Sequence, residues 1–277
     1  MIKNKLFCFG MGYVGCNLSQ NLISKGWKIA GTCTSEIKKD KLKKMGFDIS
    51  LFPKNTDYSS IIKKIHESTH ILFSIPPNDF GDPAYNIFRK ELIKNHSIKW
   101  AAYLSSTGVY GNHSNSWVNE ESKTLTVNQK SLRRIVAESQ WISLFKKNKF
   151  PIQIFRLSGI YGPRRDSFLI SDISNKINKK IKINRVNLYD IIGILKKSME
   201  YNFFGEVFNV TDNRPLSREE ITSIKLLIKN HEKVILEDSK MFNNIVNVGK
   251  KVSNLKVKNS LNYIYKYPDC IKYILEN

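Results

Sequence analysis

Residues 5 to 15 read KLFCFGMGYVG. Lys5 to Phe9 form a short, mostly apolar run that stops at a glycine. Gly10, Gly12 and Gly15 then follow in G-x-G-x-x-G spacing, and Leu18, Leu22 and Ile23 fall on one face of a helix predicted over 13–25. A strand that ends in such a loop and opens into a helix is the start of a βαβ unit. Gly10 suits a tight turn, Gly12 lets a pyrophosphate approach the backbone, and Gly15 lets helix and strand pack closely. The helix N-terminus offers N–H groups and a dipole to phosphate. Tyr13 and Val14, at the helix start, join the three glycines as expected dinucleotide contacts. A glycine-rich turn without a ligand is the bland alternative, and the strand–loop–helix context favours the ligand.

Outward from this stretch the chain keeps alternating. Strand-like runs at 28–33, 47–51, 70–75, 100–106 and 152–157 are separated by helical patterns at 36–45, 58–67, 84–95 and across NQKSLRRIVAESQW (128–141). Such alternation predicts parallel strands with helices on both faces. The polar stretch 107–127 reads as a long loop, and loops of that length are often functional. Beyond about residue 158 the pattern loosens. FNV (208–210) reads as a strand, and Ser217 with Glu220 form a capping box ahead of a helix striped by Ile221, Ile224, Leu227 and Ile228. The expected division is a nucleotide-binding domain over 1–160 and a smaller, interwoven substrate lobe over 161–277.

The 277 residues carry a formal net charge of +21, with 41% hydrophobic and 25% charged residues. The basic residues are scattered rather than interleaved with aromatics, so no specific nucleic-acid partner is expected. The four cysteines, Cys8, Cys16, Cys33 and Cys270, have no metal-ligand spacing, so no metal site is expected, and Cys8 and Cys33 are expected to be buried. No stretch is long enough to be a membrane helix. A cytoplasmic protein is the expectation.

The second strand ends in GTCTSEIKK (31–39). An NAD site usually places an acid here for the ribose 2′-hydroxyl. No acid stands between Gly31 and Ser35. Thr32, Thr34 and Ser35, with Lys38 or Lys39, offer partners for a 2′-phosphate, so NADP is favoured over NAD. Pro76, which closes HILFSI, and Ser105 are grouped with the cofactor site.

YLSSTGVYG (103–111), taken with FGMGYVG, FRLSGIYGP (155–163) and GEVFNVTDNRPLS (205–217), resembles the extended and atypical short-chain dehydrogenase/reductase superfamily, the NAD-dependent epimerase/dehydratase group. The resemblance runs in order along nearly the whole chain. It implies a Rossmann-type doubly wound parallel sheet with a small C-terminal substrate lobe. It also implies hydride transfer on a nucleotide-sugar or similar anionic metabolite. The family's catalytic Ser falls on Ser106, with Thr107 beside it. A hydroxyl at the C-terminal end of a parallel strand faces the crevice where such sheets bind ligands.

The family writes its catalytic helix YxxxKxxxE. Anchoring on Glu138 places Arg134 at the Lys position and Lys130 at the Tyr position. Guanidinium can hold ribose hydroxyls and supply positive charge, but it cannot shuttle a proton. Arg134 is therefore either a cofactor contact or the partner of Glu138 in a surface ion pair. Lys130 acts as an acid/base only if burial depresses its pKa by several units. Tyr110 and Tyr161 are other candidates for the missing acid, and Asp190 matches a position that supports structure. On the same helix Leu132, Ile135, Val136 and Ile142 are expected to face the core. A homodimer through this helix is left open. The competing reading is a non-catalytic NAD(P)-binding sensor or scaffold.

Overall fold

The computed structural model describes residues 4–53, 57–165, 180–229 and 248–277. Its strands β1 (Lys5–Phe9), β2 (Lys28–Cys33), β3 (Asp48–Leu51), β4 (His70–Phe73), β5 (Trp100–Ser106), β7 (Ile152–Leu157) and β10 (Val207–Val210) form one seven-stranded parallel sheet in the order β10-β7-β5-β4-β1-β2-β3. Helices α1 (Tyr13–Ile23), α2 (Glu36–Lys44), α3 (Ser59–His66), α4 (Pro83–Lys94) and α5 (Gln129–Asn148) alternate with the strands. The doubly wound α/β fold expected from the sequence is present. From β1 the strand order runs one way through β2 and β3 and the other way through β4 and β5. That reversal creates a crevice at the C-terminal ends of β1 and β4, where open α/β sheets bind ligands.

Two compact units share the chain. Unit 1 comprises 1–106, 129–155 and 195–207; unit 2 comprises 107–128, 156–194 and 208–277. In unit 1 every residue of β1 is buried, and Phe9 stacks on Phe73 at 5.2 Å between ring centroids. Phe7, Phe52, Phe88, Tyr103 and Trp141 complete an aromatic-rich core.

Unit 2 holds two small sheets, β8 (Gly159–Tyr161) with β9 (Arg185–Asn187) and β6 (Trp117–Val118) with β11 (Lys251–Val252). The stretch 107–127, read as a loop, contains a 3-10 turn over Thr107–Tyr110 and the short strand β6. Further along lie α6 (Leu188–Ser198), α7 (Arg218–Lys229), α8 (Leu255–Leu261) and α9 (Cys270–Glu276). The capping box forms as expected: the Ser217 N–H donates to Glu220 Oε2 at 2.7 Å and the Glu220 N–H to Ser217 Oγ at 3.2 Å. Ile221 and Ile224 are buried with Leu216, Tyr161 and Tyr273, whereas the Ile228 side chain lies outside the described residues.

One expectation fails on α5. Leu132 and Val136 are 37% and 43% exposed, and the buried stripe is Ala137, Glu138, Trp141 and Leu144. Of the four predicted core residues, Ile142 packs against the core while Ile135 is half-buried. The helix is turned because the sheet beneath it offers polar partners at the end of β5 as well as apolar ones.

Candidate functional site

The glycine loop leaves β1 at the strand-order reversal. Gly10 has φ +86°, a left-handed conformation that favours glycine. The turn is held from β2 and β4. The Gly10 N–H donates to Thr32 Oγ1 at 2.9 Å and the Met11 N–H to the Thr32 carbonyl at 2.7 Å. Ser74 Oγ donates to the Gly10 carbonyl at 2.5 Å. Thr32, proposed from sequence as a cofactor contact, is thus buried and engaged in shaping the loop.

The other two glycines differ in what surrounds them. A Cβ at Gly15 would lie 2.6 Å from Cys8 Sγ and 3.1 Å from the Gly10 carbonyl oxygen, so α1 can sit against β1 only without a side chain here. A Cβ at Gly12 would meet nothing nearer than the Gly10 oxygen at 4.0 Å. The backbone of Gly12 is extended, with φ −82°. Neither packing nor conformation demands glycine at 12. It stands as the N-cap of α1, and no side chain caps that helix. An open seat at a helix N-terminus without a side-chain cap fits a pyrophosphate. The residues present therefore fit a dinucleotide.

At the end of β2, Thr34 and Ser35 are exposed. Ser35 Oγ caps α2 by accepting from the Lys38 N–H at 3.4 Å. Lys39 is paired with Glu36 at 2.9 Å. Lys38 lies on the glycine-loop side: burial pushes the thiol of Cys16, in the first turns of α1, upward, and the Lys38 ammonium opposes that rise. Pro76 is exposed beyond the end of β4. The loop from 76 to 83 is held by α5, since Arg133 pairs with Asp79 at 2.7 Å and Trp141 Nε1 donates to Asp82 Oδ2 at 3.1 Å. Asp82 Oδ1 also caps α4 by accepting from the Ala84 N–H at 2.7 Å. Burial nevertheless raises its carboxyl to about 6.

Ser105 and Glu138 form the centre of the contact between β5 and α5. Ser105 Oγ donates to Glu138 Oε1 at 2.5 Å, and both residues are buried, Glu138 being 6% exposed. One turn earlier Arg134 Nη1 donates to the Leu104 carbonyl at 2.8 Å. The stripe read from sequence as a charged surface pair thus points into unit 1, with Ser105 on the carboxylate and a strand carbonyl on the guanidinium. Burial raises the neighbouring Tyr103 phenol, and the Arg134 charge acts against that rise. Ser106 ends β5 half-buried, and Lys130 is exposed at the start of α5.

The remaining candidates belong to unit 2. Thr107 Oγ1 lies 3.3 Å from Ser158 Oγ, and Thr107 is buried. The Tyr110 hydroxyl donates to Asn209 Oδ1 at 2.8 Å and accepts from Arg156 Nη1 at 2.9 Å. Burial raises this phenol despite the Arg156 charge. Tyr161 is fully buried and its phenol is pushed far up, first by burial. Asp190 has the supporting role its position suggested: it accepts from the Lys266 and Tyr267 N–H groups at 2.7 and 3.0 Å and from the Tyr263 hydroxyl at 3.1 Å.

Sequence reasoning passed over Asp82, Arg156 and Arg185. Its available signal was an Arg inside each of the buried strands FRL and RVN. Among the described residues no group of three His, Cys, Asp or Glu side chains is placed to hold a metal. No helix among them is long and apolar enough to cross a membrane.

No known family profile matches the chain. It is 22% identical over 283 aligned residues to Protein YeeZ of Escherichia coli K12, spanning 98% of this chain and 99% of that one. Among solved structures it is similar to a functionally unknown conserved protein from Silicibacter pomeroyi DSS, with 28% identity, a TM-score of 0.80 and coverage of 99% and 97% of the two chains. It shares its fold with a putative NAD-dependent epimerase/dehydratase from Methylobacillus flagellatus, at 18% identity and TM-score 0.71, covering 100% and 97% of the two chains. A UDP-glucuronic acid 4-epimerase from Bacillus cereus, solved with NAD, has the same fold at 17% identity and TM-score 0.72, covering 98% and 99%. The fold is thus that of NAD-dependent epimerase/dehydratases and reductases.

Proposed function

We propose that the protein is a nicotinamide-dinucleotide enzyme of the epimerase/dehydratase and reductase type, acting on a small anionic metabolite. The observation that carries this reading is Gly12: its open seat at an uncapped helix N-terminus has no use in the protein's own packing. The backbone of residues 10 to 15, with Tyr13 and Val14, would hold the pyrophosphate. Thr34, Ser35 and Lys38 would surround the adenosine ribose, and Lys38 favours NADP through its charge. Pro76 and Ser105 would border the nicotinamide half.

When bound, nicotinamide supplies a hydride acceptor or donor at a carbinol carbon. The chain's own contribution is orientation and charge. Ser106, at the end of β5, orients a substrate hydroxyl or carbonyl, with Thr107 next in sequence. Arg134 is fixed by the Leu104 carbonyl and holds positive charge beside that strand end. The proton itself needs another carrier, because guanidinium stays protonated. Lys130 and Tyr110 are the side chains named for it, and Tyr110 is already engaged by Arg156 and Asn209. Exposed Leu132 and Val136 on α5 are an apolar surface on which two copies would pair; a monomer in sedimentation would remove that part.

A non-catalytic sensor is the second reading, favoured by Lys130 and Arg134 standing where the resemblance expects Tyr and Lys. Thermal unfolding with NADPH or NADH tests the cofactor claim, and no shift at millimolar concentration sinks it. A broad negative turnover screen with intact cofactor binding selects the sensor.

A further inference from the structure

Unit 2 carries a cavity of about 150 Å³ lined by Gly159, Ile160, Ile183, Arg185 and Arg218. β8 and β9 run parallel with Gly159 opposite Arg185. A Cβ on Gly159 would stand 3.3 Å from the Asn184 carbonyl oxygen and 4.0 Å from Arg185 Cγ. Glycine at 159 therefore keeps space open beside the Arg185 stem.

Arg185 is 3% exposed. Burying a guanidinium costs several kcal/mol unless charge and hydrogen bonds compensate. Its Nη1 donates to the carbonyls of Ile183 at 3.2 Å and Leu216 at 2.7 Å, which fix the plane of the group but bring no full negative charge. The Asp212 carboxyl does act on Arg185, but burial pushes that carboxyl well above its usual range and blunts its charge. Arg218 adds a second positive charge close enough to disfavour the first. It is the first residue of α7, whose N-terminal dipole has the same sign. The nearby Glu220 is engaged by Lys182 and by the Ser217 N–H. Two guanidinium groups held against their own repulsion beside an aliphatic-walled cavity match a doubly charged oxyanion.

We propose that this cavity binds the phosphate group of a small phosphorylated metabolite, with Arg185 and Arg218 on the phosphate and Ile160 and Ile183 against the carbon it is attached to. The size argues against a nucleotide. A cavity of about 150 Å³ admits a molecule such as benzene, and sites for whole drug-sized ligands run from about 300 Å³ upward. That the phosphate is part of a substrate rests on the enzyme reading above, whereas the binding site stands on unit 2 alone.

The test is calorimetric titration of the full chain with inorganic phosphate, without nicotinamide, in wild type and in Arg218→Gln, Gly159→Val and Gly12→Val. We expect wild-type binding in the millimolar range and a loss of about tenfold or more in the two unit 2 variants. The Gly12 variant, altered at the glycine loop, is expected to keep its phosphate affinity. Loss in Gly12→Val with retention in Arg218→Gln would place the phosphate on the glycine loop and overturn the proposal. So would the absence of wild-type binding at tens of millimolar phosphate, or acetate binding as tightly as phosphate. A parallel NADPH titration reports on the cofactor reading separately, so failure of one leaves the other measurable.

Discussion

Alanine at Gly12 and at Gly15 should have opposite consequences, although the two glycines are three residues apart on one loop. At Gly15 the new Cβ would sit 2.6 Å from the sulfur of fully buried Cys8, which has no free space to retreat into. Overpacking of this kind costs about 1–3 kcal/mol, and the better helix propensity of alanine returns about 1 kcal/mol, for a net loss of about 1–2 kcal/mol. At Gly12 the Cβ meets only the Gly10 oxygen at 4.0 Å. There the poorer N-cap and the smaller unfolded-state entropy roughly cancel, to within about 0.5 kcal/mol. Dinucleotide binding should show the reverse ranking, because the Gly12 Cβ occupies the seat assigned to the pyrophosphate. With NADPH at about 100 times the wild-type dissociation constant, wild type gains about 2.7 kcal/mol, and a variant bound tenfold more weakly gains about 1.4 kcal/mol. Urea denaturation with and without NADPH measures both effects in one experiment. A Gly12→Ala protein that binds NADPH as wild type does would show that the open seat is not where the phosphates lie. A Gly15→Ala protein as stable as wild type would refute the close approach of α1 to β1.

Two further outcomes follow from the interior of unit 1. Burial holds the His70 imidazole down at about 4, helped by Lys99, and its Nδ1 lies 2.9 Å from Thr69 Oγ1. Its folded pKa is below the unfolded value of about 6.5, so its contribution is complete above that pH and is lost as pH falls toward 4, at about 1.4 kcal/mol per pH unit. His70→Phe should flatten the acid limb of a stability profile over that window, and an unchanged limb would show that His70 titrates normally. Ser105→Ala should cost about 1.5–3 kcal/mol by taking a donor from a buried carboxylate, and clearly less in a Glu138→Gln background. Equal costs in both backgrounds would mean that the hydroxyl and the carboxylate are not coupled. Arg134→Ala should weaken NADPH binding by more than its effect on stability accounts for, and equal affinity would leave Arg134 a purely structural contact with Leu104.

The residues 5 to 15 determined the fold by themselves, because glycine has few substitutes where a turn needs positive φ or a helix must touch a strand. Gly10 and Gly15 meet those demands within the loop and its adjoining strand. The capping box at Ser217 and Glu220 was legible for the same reason: both partners lie within one helical turn. What the sequence left undecided was the direction in which α5 faces. Its pattern holds two overlapping stripes, and a period of 3.6 residues allows either Leu132 and Val136 or Glu138 and Trp141 to turn inward. The sheet made the choice. Ser105 offers a hydroxyl to Glu138, the Leu104 carbonyl accepts from Arg134, and Phe73 packs against Trp141 at 4.1 Å. The pair of arginines beside Gly159 was equally out of reach, because 26 residues separate Gly159 from Arg185 and only the pairing of β8 with β9 brings them side by side. Local conformation could be read along the chain, but the meeting of distant polar groups depended on strand register and burial, which only the tertiary structure supplies.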